Sequence, residues 1–423
     1  QIQLVQTAAR GQRLERNIHG VAVVILHGVS EGVAEQGLPV VGGCEGGHHA
    51  RSRFGVAASV QNADTGKNDT SWEEYSEAFT NGLDIVGYNY MEDKYPLDHE
   101  MFPERVILGS ENYPKEIGMR WPMVEATPYV IGDFTWTAYD YIGEAGIGKS
   151  VFLDPDDPLL KMGPFALMSH SSAFPWRLAN DADVDINGGL LPQGAYRSIV
   201  WGSDKTYLYS YDPSVFGKTE LISSWGFTDV TKNWNWKDAD HKPVQVAVFS
   251  NGDEVELIQN GTSIGKLTAG TRLAADLPMS FLFDLTYLPG TLEAVSYKDG
   301  KELSRDTLTT AASAKTIRLI PEKTELSANG HALAYIRIEI VDENGVVVPD
   351  AAIKLHADVK GAGKLAAFGS ANPITDENYT AGDFTSYRGV ATAIVQSGYE
   401  AGLCTLTVSG EGFEEKSVEL KIK

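Results

Sequence analysis

Three side chains in this sequence have the types and the spacing to act on a sugar. Glu111 closes the apolar run RVILGSE (105–111), Tyr90 closes LDIVGYNY (83–90), and Trp136 lies in YVIGDFTWTAYD (129–140). A strand of a parallel sheet is apolar along its middle, and chemistry collects where its C-terminal end meets a loop. In a (β/α) barrel the C-terminal ends of successive strands share one mouth, so Tyr90, Glu111 and Trp136 are expected to converge. Aromatic rings stack on the apolar faces of pyranoses, a tyrosine hydroxyl can hold a carboxylate in position, and a carboxylate can attack or stabilise an anomeric centre. Taken singly, the same residues also read as a solvated loop carboxylate and as ordinary barrel core.

The elements that would carry these residues alternate strand-like runs with helical segments, the pattern of a parallel sheet. Candidate strands are VAVVIL (21–26), LPVVGG (38–43), LDIVGYNY, RVILGSE and YVIGDFTWTAYD; SWEEYSEAFTNG (71–82) and PKEIGMRWPMVEATP (114–128) read as helices, and PQGAYRSIVWGS (192–203) as a closing helix. After about residue 205 short alternating strands and turn signals take over. The run HKPVQVAVFSNGDEVELIQNGTSIGKL contains two Asn-Gly pairs, each a hairpin signal. An Ala/Ser/Thr-rich linker, TTAASAK (309–315), precedes a second alternating module. The expected organisation is multidomain, α/β plus all-β: a partial or remodelled TIM-type (β/α) barrel over 1–205, with residues 1–60 anomalous, then immunoglobulin-like β-sandwiches over 206–312 and 313–423. Both sandwiches suit spacers as well as carbohydrate-contacting modules.

Composition narrows the partners. The chain of 423 residues is 43% hydrophobic and 22% charged, which describes a foldable multidomain protein. A net charge of -22 argues against nucleic acid or an anionic membrane, and a neutral or cationic ligand fits better. The expected partner is a small-molecule or oligosaccharide substrate. No apolar run approaches the roughly 20 residues that span a bilayer. Cys44 and Cys404 lie at opposite ends, so neither a disulfide framework nor a cysteine zinc site is expected. The adjacent His48 and His49 lack the helical i, i+4 spacing of a metal pair.

The strand ends quoted above, with FPWRLANDADVDINGGLLPQGAYRSIVWG (174–202), resemble the last barrel strands and closing helix of glycoside hydrolase family two, the β-galactosidase and β-glucuronidase group. The modules containing VAVFSNGDEVELIQNGTSIGKL and LPGTLEAVSYKDGKEL are similar to accessory domains of bacterial β-galactosidases, so the likeness runs over roughly residues 60 to 423. The resemblance implies a retaining β-glycosidase acting on terminal β-galactosides. Glu111 would be the nucleophile, Tyr90 its hydrogen-bonding partner and Trp136 a wall of the sugar subsite, with Trp176, Asp183 and Asp185 in a loop near it. It implies no cofactor and assigns no metal ligand, and it favours a bacterial periplasmic or extracellular location.

Such a mechanism needs a second carboxyl group about 5 Å from the nucleophile. In the family this is the Glu of an Asn-Glu pair at the end of the fourth barrel strand. The corresponding place here is VVILHGVSEGVAEQ, where Glu31 follows Ser30 instead of Asn; Glu31 is the expected acid/base, with Glu35 behind it. About five of eight barrel strands are recognisable, the family's first three falling before Gln1. The sequence therefore predicts completion from elsewhere, a refolded early segment, or self-association into a homo-oligomer.

Two other chemistries compete. Gly28-Val29-Ser30-Glu31-Gly32 follows a strand-like run directly, the nucleophile-elbow pattern of a serine carboxylesterase, with His48, His49, His99 or His170 as base. A non-catalytic carbohydrate-binding remnant would keep the aromatic walls without the acid.

Overall fold

The structure is a computed structural model that describes residues 82–164, 172–269 and 277–423, with 76, 77, 80 and 167 and the backbone of 23–27. The chain divides into two compact units, Gln1–Glu111 with Val124–Phe134, and Asn112–Met123 with Thr135–Lys423.

The first unit is built on one sheet. Strands β1 (Val23–His27), β2 (Ile85–Asn89), β3 (Val106–Asn112) and β4 (Val130–Thr135) lie side by side in chain order. The β1–β2 and β2–β3 pairs are parallel. A parallel pair needs a crossover, supplied between β2 and β3 by helix α1 (Tyr95–Met101). Asp98 on α1 is fully buried; it accepts from the Tyr88 hydroxyl at 2.7 Å and from Arg105 Nη1 at 2.6 Å. The Arg105 guanidinium also lies over the Phe102 ring at 3.4 Å, so the helix is fixed to the strands on either side of it. Four of the five anticipated strands are therefore present; LPVVGG and most of the helix expected over 71–82 lie outside the described residues. Strand β4 stops at Thr135 rather than near Asp140. Among the described residues these strands form one open sheet and no closed barrel.

In the second unit helix α2 (Ile117–Ala126) begins after a 3-10 turn at Pro114–Glu116 and continues to Met123, beyond which its residues belong to the first unit. Strand β5 (Ser150–Leu153) precedes helix α3 (Pro192–Val200), and β6 (Tyr207–Ser210) and β7 (Thr219–Ile222) follow it, β5 pairing antiparallel with β7. Helix α3 is buried along most of its length, and Tyr196 reaches across to donate to the Pro278 carbonyl at 2.8 Å.

Two β-sandwiches complete the chain. In the first, β6, β8 (Pro243–Phe249) and β11 (Ser280–Thr286) form one sheet, and β9 (Glu254–Gln259), β10 (Thr262–Thr268), β12 (Thr291–Lys298) and β13 (Lys301–Thr309) the other. Val244, Val246, Val248, Leu257, Phe281, Leu292 and Ala294 fill the space between, as alternating strands require. The two Asn-Gly pairs behave differently. Asn260 and Gly261 have φ of 50° and 77°, the left-handed pair of a tight hairpin, and they join β9 to β10. Asn251 and Gly252 join strands in different sheets; the Asn251 amide instead donates to the Ile199 and Ser203 carbonyls at 2.9 and 2.8 Å, capping α3.

The last sandwich pairs β14 (Thr316–Pro321), β16 (Leu333–Val341), β18 (Gly363–Gly369) and β20 (Val390–Ser397) against β15 (Glu325–Leu326), β17 (Lys354–Gly361), β19 (Asp383–Thr385), β21 (Gly402–Gly410) and β22 (Lys416–Ile422). Cys404 is buried in this core as a small hydrophobe. The linker is clamped to both sandwiches. Asn235 exchanges hydrogen bonds with the backbone of Ala311 at 2.7 and 3.2 Å, and Asp342 accepts from the Ala312 N–H at 2.9 Å.

Candidate functional site

In the first unit Glu111 sits at the end of β3 beside the end of β2. The β2–β3 register slips between Tyr88 and Asn89, so Asn89 pairs with Glu111 and Ser110 is the extra residue of a bulge. A bulge re-aims the side chains beside it, and here it turns Glu111 toward the end of β2. Asn89 Nδ2 donates to Glu111 Oε2 at 2.8 Å, and the Tyr90 hydroxyl donates to Oε1 at 2.5 Å. Asn89 is itself oriented by Ser110, whose hydroxyl donates to Asn89 Oδ1 at 2.7 Å. Tyr90 has φ of 53°, and its N–H donates to the Glu111 carbonyl at 2.9 Å. Both carboxylate oxygens are thus held while the side chain stays half-buried. A carboxylate fixed in this way is placed to attack one defined point.

In the second unit the chain leaves Trp136 through a cis Trp136–Thr137 peptide bond. The Trp136 N–H donates to the Asn112 carbonyl at 3.1 Å, and its indole N–H donates to the Tyr141 hydroxyl at 3.2 Å. Tyr141 in turn donates to Glu144. The two rings meet edge to face with centroids 6.1 Å apart. The indole is therefore held at its polar edge while the residue stays half-buried.

Two buried carboxyls, Asp140 and Asp181, bond to the residues that follow Trp136. Asp140 accepts from the N–H groups of Asn180 and Tyr141 at 2.9 and 3.0 Å, yet burial pushes its pKa up to about 6. Asp181 is pushed up to about 7, by burial first and then by the charges of Asp140 and Glu144. Thr137 donates to Asp181 Oδ1 at 3.4 Å, and Asp181 Oδ2 has no hydrogen-bond partner among the described residues.

The three further residues expected near the subsite fall in different surroundings. Trp176 packs its ring over Gly146, where a β-carbon would come within 3.0 Å, and bridges to Ile374 of the last sandwich. Arg177 beside it donates to the Glu377 and Asp376 carbonyls at 2.7 and 3.0 Å. Asp183 meets Arg197 Nε on α3 at 2.6 Å, with 13% and 5% of the two side chains exposed. This places Asp183 in an ion pair that anchors the loop to the helix. Asp185 Oδ1 accepts from the Asn187 and Gly189 N–H groups, both at 2.8 Å, and shapes the turn that follows. Burial raises its pKa, opposed by those N–H groups and then by Arg337 and Arg388.

Sequence reasoning missed Asn89, Asp140, Tyr141, Glu144 and Asp181. Asp181 precedes Asp183 and Asp185 at a spacing of two, but the structure folds 181–185 as a loop and not as a strand, so the spacing does not put the three on one face. Glu31, Glu35, Ser30, His48, His49 and His170 lie outside the described residues. His99 is on α1, its ring stacked on Tyr129 with centroids 3.6 Å apart. No cluster of three or more His, Cys, Asp or Glu with metal-binding spacing occurs among the described residues.

Comparison with known proteins bears on both units. Residues 317–419 match the model of glycoside hydrolase family 2 C-terminal domain 5, and residues 241–304 match a domain of unknown function. A β-galactosidase of Bacteroides ovatus is 22% identical over 386 residues, covering 80% of this chain and 39% of the relative. A β-galactosidase of Thermoanaerobacter pseudethanolicus is 27% identical over 182 residues, covering 40% of this chain and 23% of the relative. The crystal structure of a glycosyl hydrolase family 2 member from Bacteroides cellulosilyticus superposes with a TM-score of 0.70 at 32% identity, over 82% of this chain and 43% of that one. The chain spans about two fifths or less of the length of these relatives.

Proposed function

From the premise that this chain belongs to glycoside hydrolase family 2, we infer that it works in the hydrolysis of terminal β-galactosides by a retaining double displacement. The observation that carries this reading is the grip on Glu111, each of whose oxygens has its own donor, Tyr90 or Asn89. Glu111 attacks the anomeric carbon and forms a glycosyl ester. The aglycone oxygen leaves with a proton from a second carboxyl group, for which Glu31 is the candidate. Water then attacks the ester while that carboxylate takes back a proton. Trp136 supplies an apolar wall for the pyranose, backed by Tyr141, and Trp176 and Asp185 belong to the loops around the sugar. Asp183 acts through Arg197 as an anchor of that loop. The sheet β1–β4 is read as part of a (β/α) barrel whose strand ends carry the nucleophile. Two β-galactosidases among its relatives support the choice of sugar, against which stands a Formosa agariphila relative assigned as a β-glucuronidase, 25% identical over 264 residues.

The test is a parallel assay of the chain and its Glu111→Gln variant on p-nitrophenyl β-galactoside and β-glucuronide, together with a 2-deoxy-2-fluoro-β-galactoside as a covalent trap. The expected result is galactoside turnover that falls by about 10³-fold or more in Glu111→Gln, and a label found on the Glu111 peptide. Turnover surviving in Glu111→Gln, or a label on another residue, would overturn the assignment.

A further inference from the structure

Three short segments of the second unit are bonded side by side, starting from the residue that holds the Trp136 indole. Tyr141, whose hydroxyl accepts from that indole at 3.2 Å, opens the first of them, residues 141–143. The second is residues 174–179: the Ala179 N–H donates to the Tyr141 carbonyl at 3.1 Å, and the Gly143 N–H donates to the Arg177 carbonyl at 3.0 Å. The third, residues 373–375, belongs to the last sandwich. The Arg177 N–H donates to the Pro373 carbonyl at 2.8 Å and the Thr375 N–H to the Pro175 carbonyl at 2.9 Å, which sets Ile374 opposite Trp176. The last sandwich is thereby bonded into the loops that follow Trp136.

Each segment leaves one large apolar side chain in the open: Ile142 is 59% exposed, Phe174 69% and Ile374 43%. A lone exposed apolar side chain is ordinary; three on segments bonded to one another, and joined through Tyr141 to Trp136, mark a surface kept for a ligand. Two polar groups beside them are spent within the protein. The Arg177 guanidinium, 5.6 Å from the centre of the Phe174 ring, donates to the Glu377 carbonyl through Nη1 at 2.7 Å and to the Asp376 carbonyl through Nη2 at 3.0 Å. The Tyr141 hydroxyl, next in the chain to Ile142, is taken by Trp136 and Glu144. A second sugar on this surface would give up water from its hydroxyls with little in return, whereas an aromatic ring needs only apolar contact.

We propose that Ile142, Phe174 and Ile374 form an aglycone subsite that takes an aromatic group. This rests on the reading of Trp136 as a wall of the sugar subsite and names the class of glycoside cleaved there: a β-galactoside carried on an aryl or arylalkyl aglycone. The last sandwich then supplies Ile374 to substrate recognition and is more than a spacer.

Benzyl and methyl β-galactoside have leaving alcohols of like acidity, so the ratio of their kcat/KM values isolates what the aromatic ring contributes. The expected ratio is about tenfold or more for the wild type and about threefold or less for Phe174→Ala and Ile374→Ala, with lactose cleaved more slowly than benzyl β-galactoside. Both substitutions truncate exposed side chains, so both variants are expected to fold, and melting curves check this. Saturation-transfer NMR of the full chain with the uncleavable benzyl thio-β-galactoside reads the same contact without turnover: the benzyl protons are expected to be saturated by the wild type and much less by either variant. A wild-type ratio near one, a ratio that neither variant lowers, lactose preferred to benzyl β-galactoside, or benzyl protons left unsaturated would each overturn the proposal. Benzyl contact that both variants lose, in a chain that turns over no galactoside, would instead overturn the hydrolytic reading and leave the aromatic subsite standing.

Discussion

Tyr90 and Glu111 are joined twice, the Tyr90 N–H to the Glu111 carbonyl at 2.9 Å and the Tyr90 hydroxyl to Glu111 Oε1 at 2.5 Å. The first bond fixes the two backbones at the ends of β2 and β3, and the second fixes the side chain relative to them. A reacting carboxylate gains from this because its approach is set before a substrate arrives.

Tyr90→Phe keeps the ring and removes only the hydroxyl bond. A hydrogen bond to a charged group is worth about 1.5–3 kcal/mol, so kcat/KM on an aryl β-galactoside is expected to fall roughly 10–150-fold. Thermal stability should change little, because the backbone bond survives. A kcat/KM within twofold of the wild type would remove Tyr90 from the mechanism.

The pair Asp140 and Asp181 makes stability depend on pH. Both carboxyls start from an ordinary value of 3.8 and rise on folding to about 6 and about 7. Between those values the folded chain binds more protons than the unfolded one, so stability falls as pH rises. The contribution is full below about pH 4 and lost above about pH 7, and it amounts to several kcal/mol in order of magnitude. Asp181→Asn keeps an acceptor for Thr137 and removes the charge. Its melting temperature is expected to exceed that of the wild type at pH 8, with the difference shrinking toward pH 4.5. Parallel melting curves across that range would refute the assignment of strain to this pair.

What was legible in the sequence follows from what is local. Strands β2 and β3 stood out because buried parallel strands are apolar runs, and Glu111 and Tyr90 because they interrupt those runs. Asn89 did not, since the β-bulge at Ser110 that sets it against Glu111 belongs to the pairing and not to either strand. Asn260-Gly261 was legible as a hairpin because its left-handed conformation is a local preference. Asn251-Gly252 has the same letters, but capping of α3 by Asn251 decides its geometry, and that helix ends some fifty residues earlier in the chain. Asp183, assigned to the sugar by its loop, finds its partner Arg197 only once α3 packs beside it.

That ion pair makes a prediction of its own. Arg197→Met would leave the largely enclosed Asp183 carboxyl without its cation, at a cost of about 3–5 kcal/mol. Adding Asp183→Leu replaces the pair by apolar groups and is expected to recover at least half of the loss. The urea midpoint followed by tryptophan fluorescence measures both. A single variant costing under about 1 kcal/mol, or a double variant no better than the single, would mean that the pair does not anchor the loop.

The Asn235 clamp decides whether the two sandwiches are joined by a hinge or by a fixed corner. Composition alone suggests a hinge, since TTAASAK contains only small or polar residues apart from its closing lysine. Yet Ala311 is 8% exposed, and both its N–H and its C=O are bonded to the Asn235 amide. Asn235→Ala leaves these two backbone groups unpaired, at about 1–3 kcal/mol each where water cannot replace the amide. Limited proteolysis at 309–315 is expected to speed up roughly tenfold or more, because cleavage samples the opened linker. Lys237→Ala serves as the control. Its partner Asp350 also links the sandwiches, at 2.7 Å, but with 79% of the lysine side chain exposed such a pair is screened by solvent and adds little. If both variants are cut at the wild-type rate, the linker is held by something other than Asn235; if only Asn235→Ala is cut faster, a single buried amide sets the corner between the sandwiches.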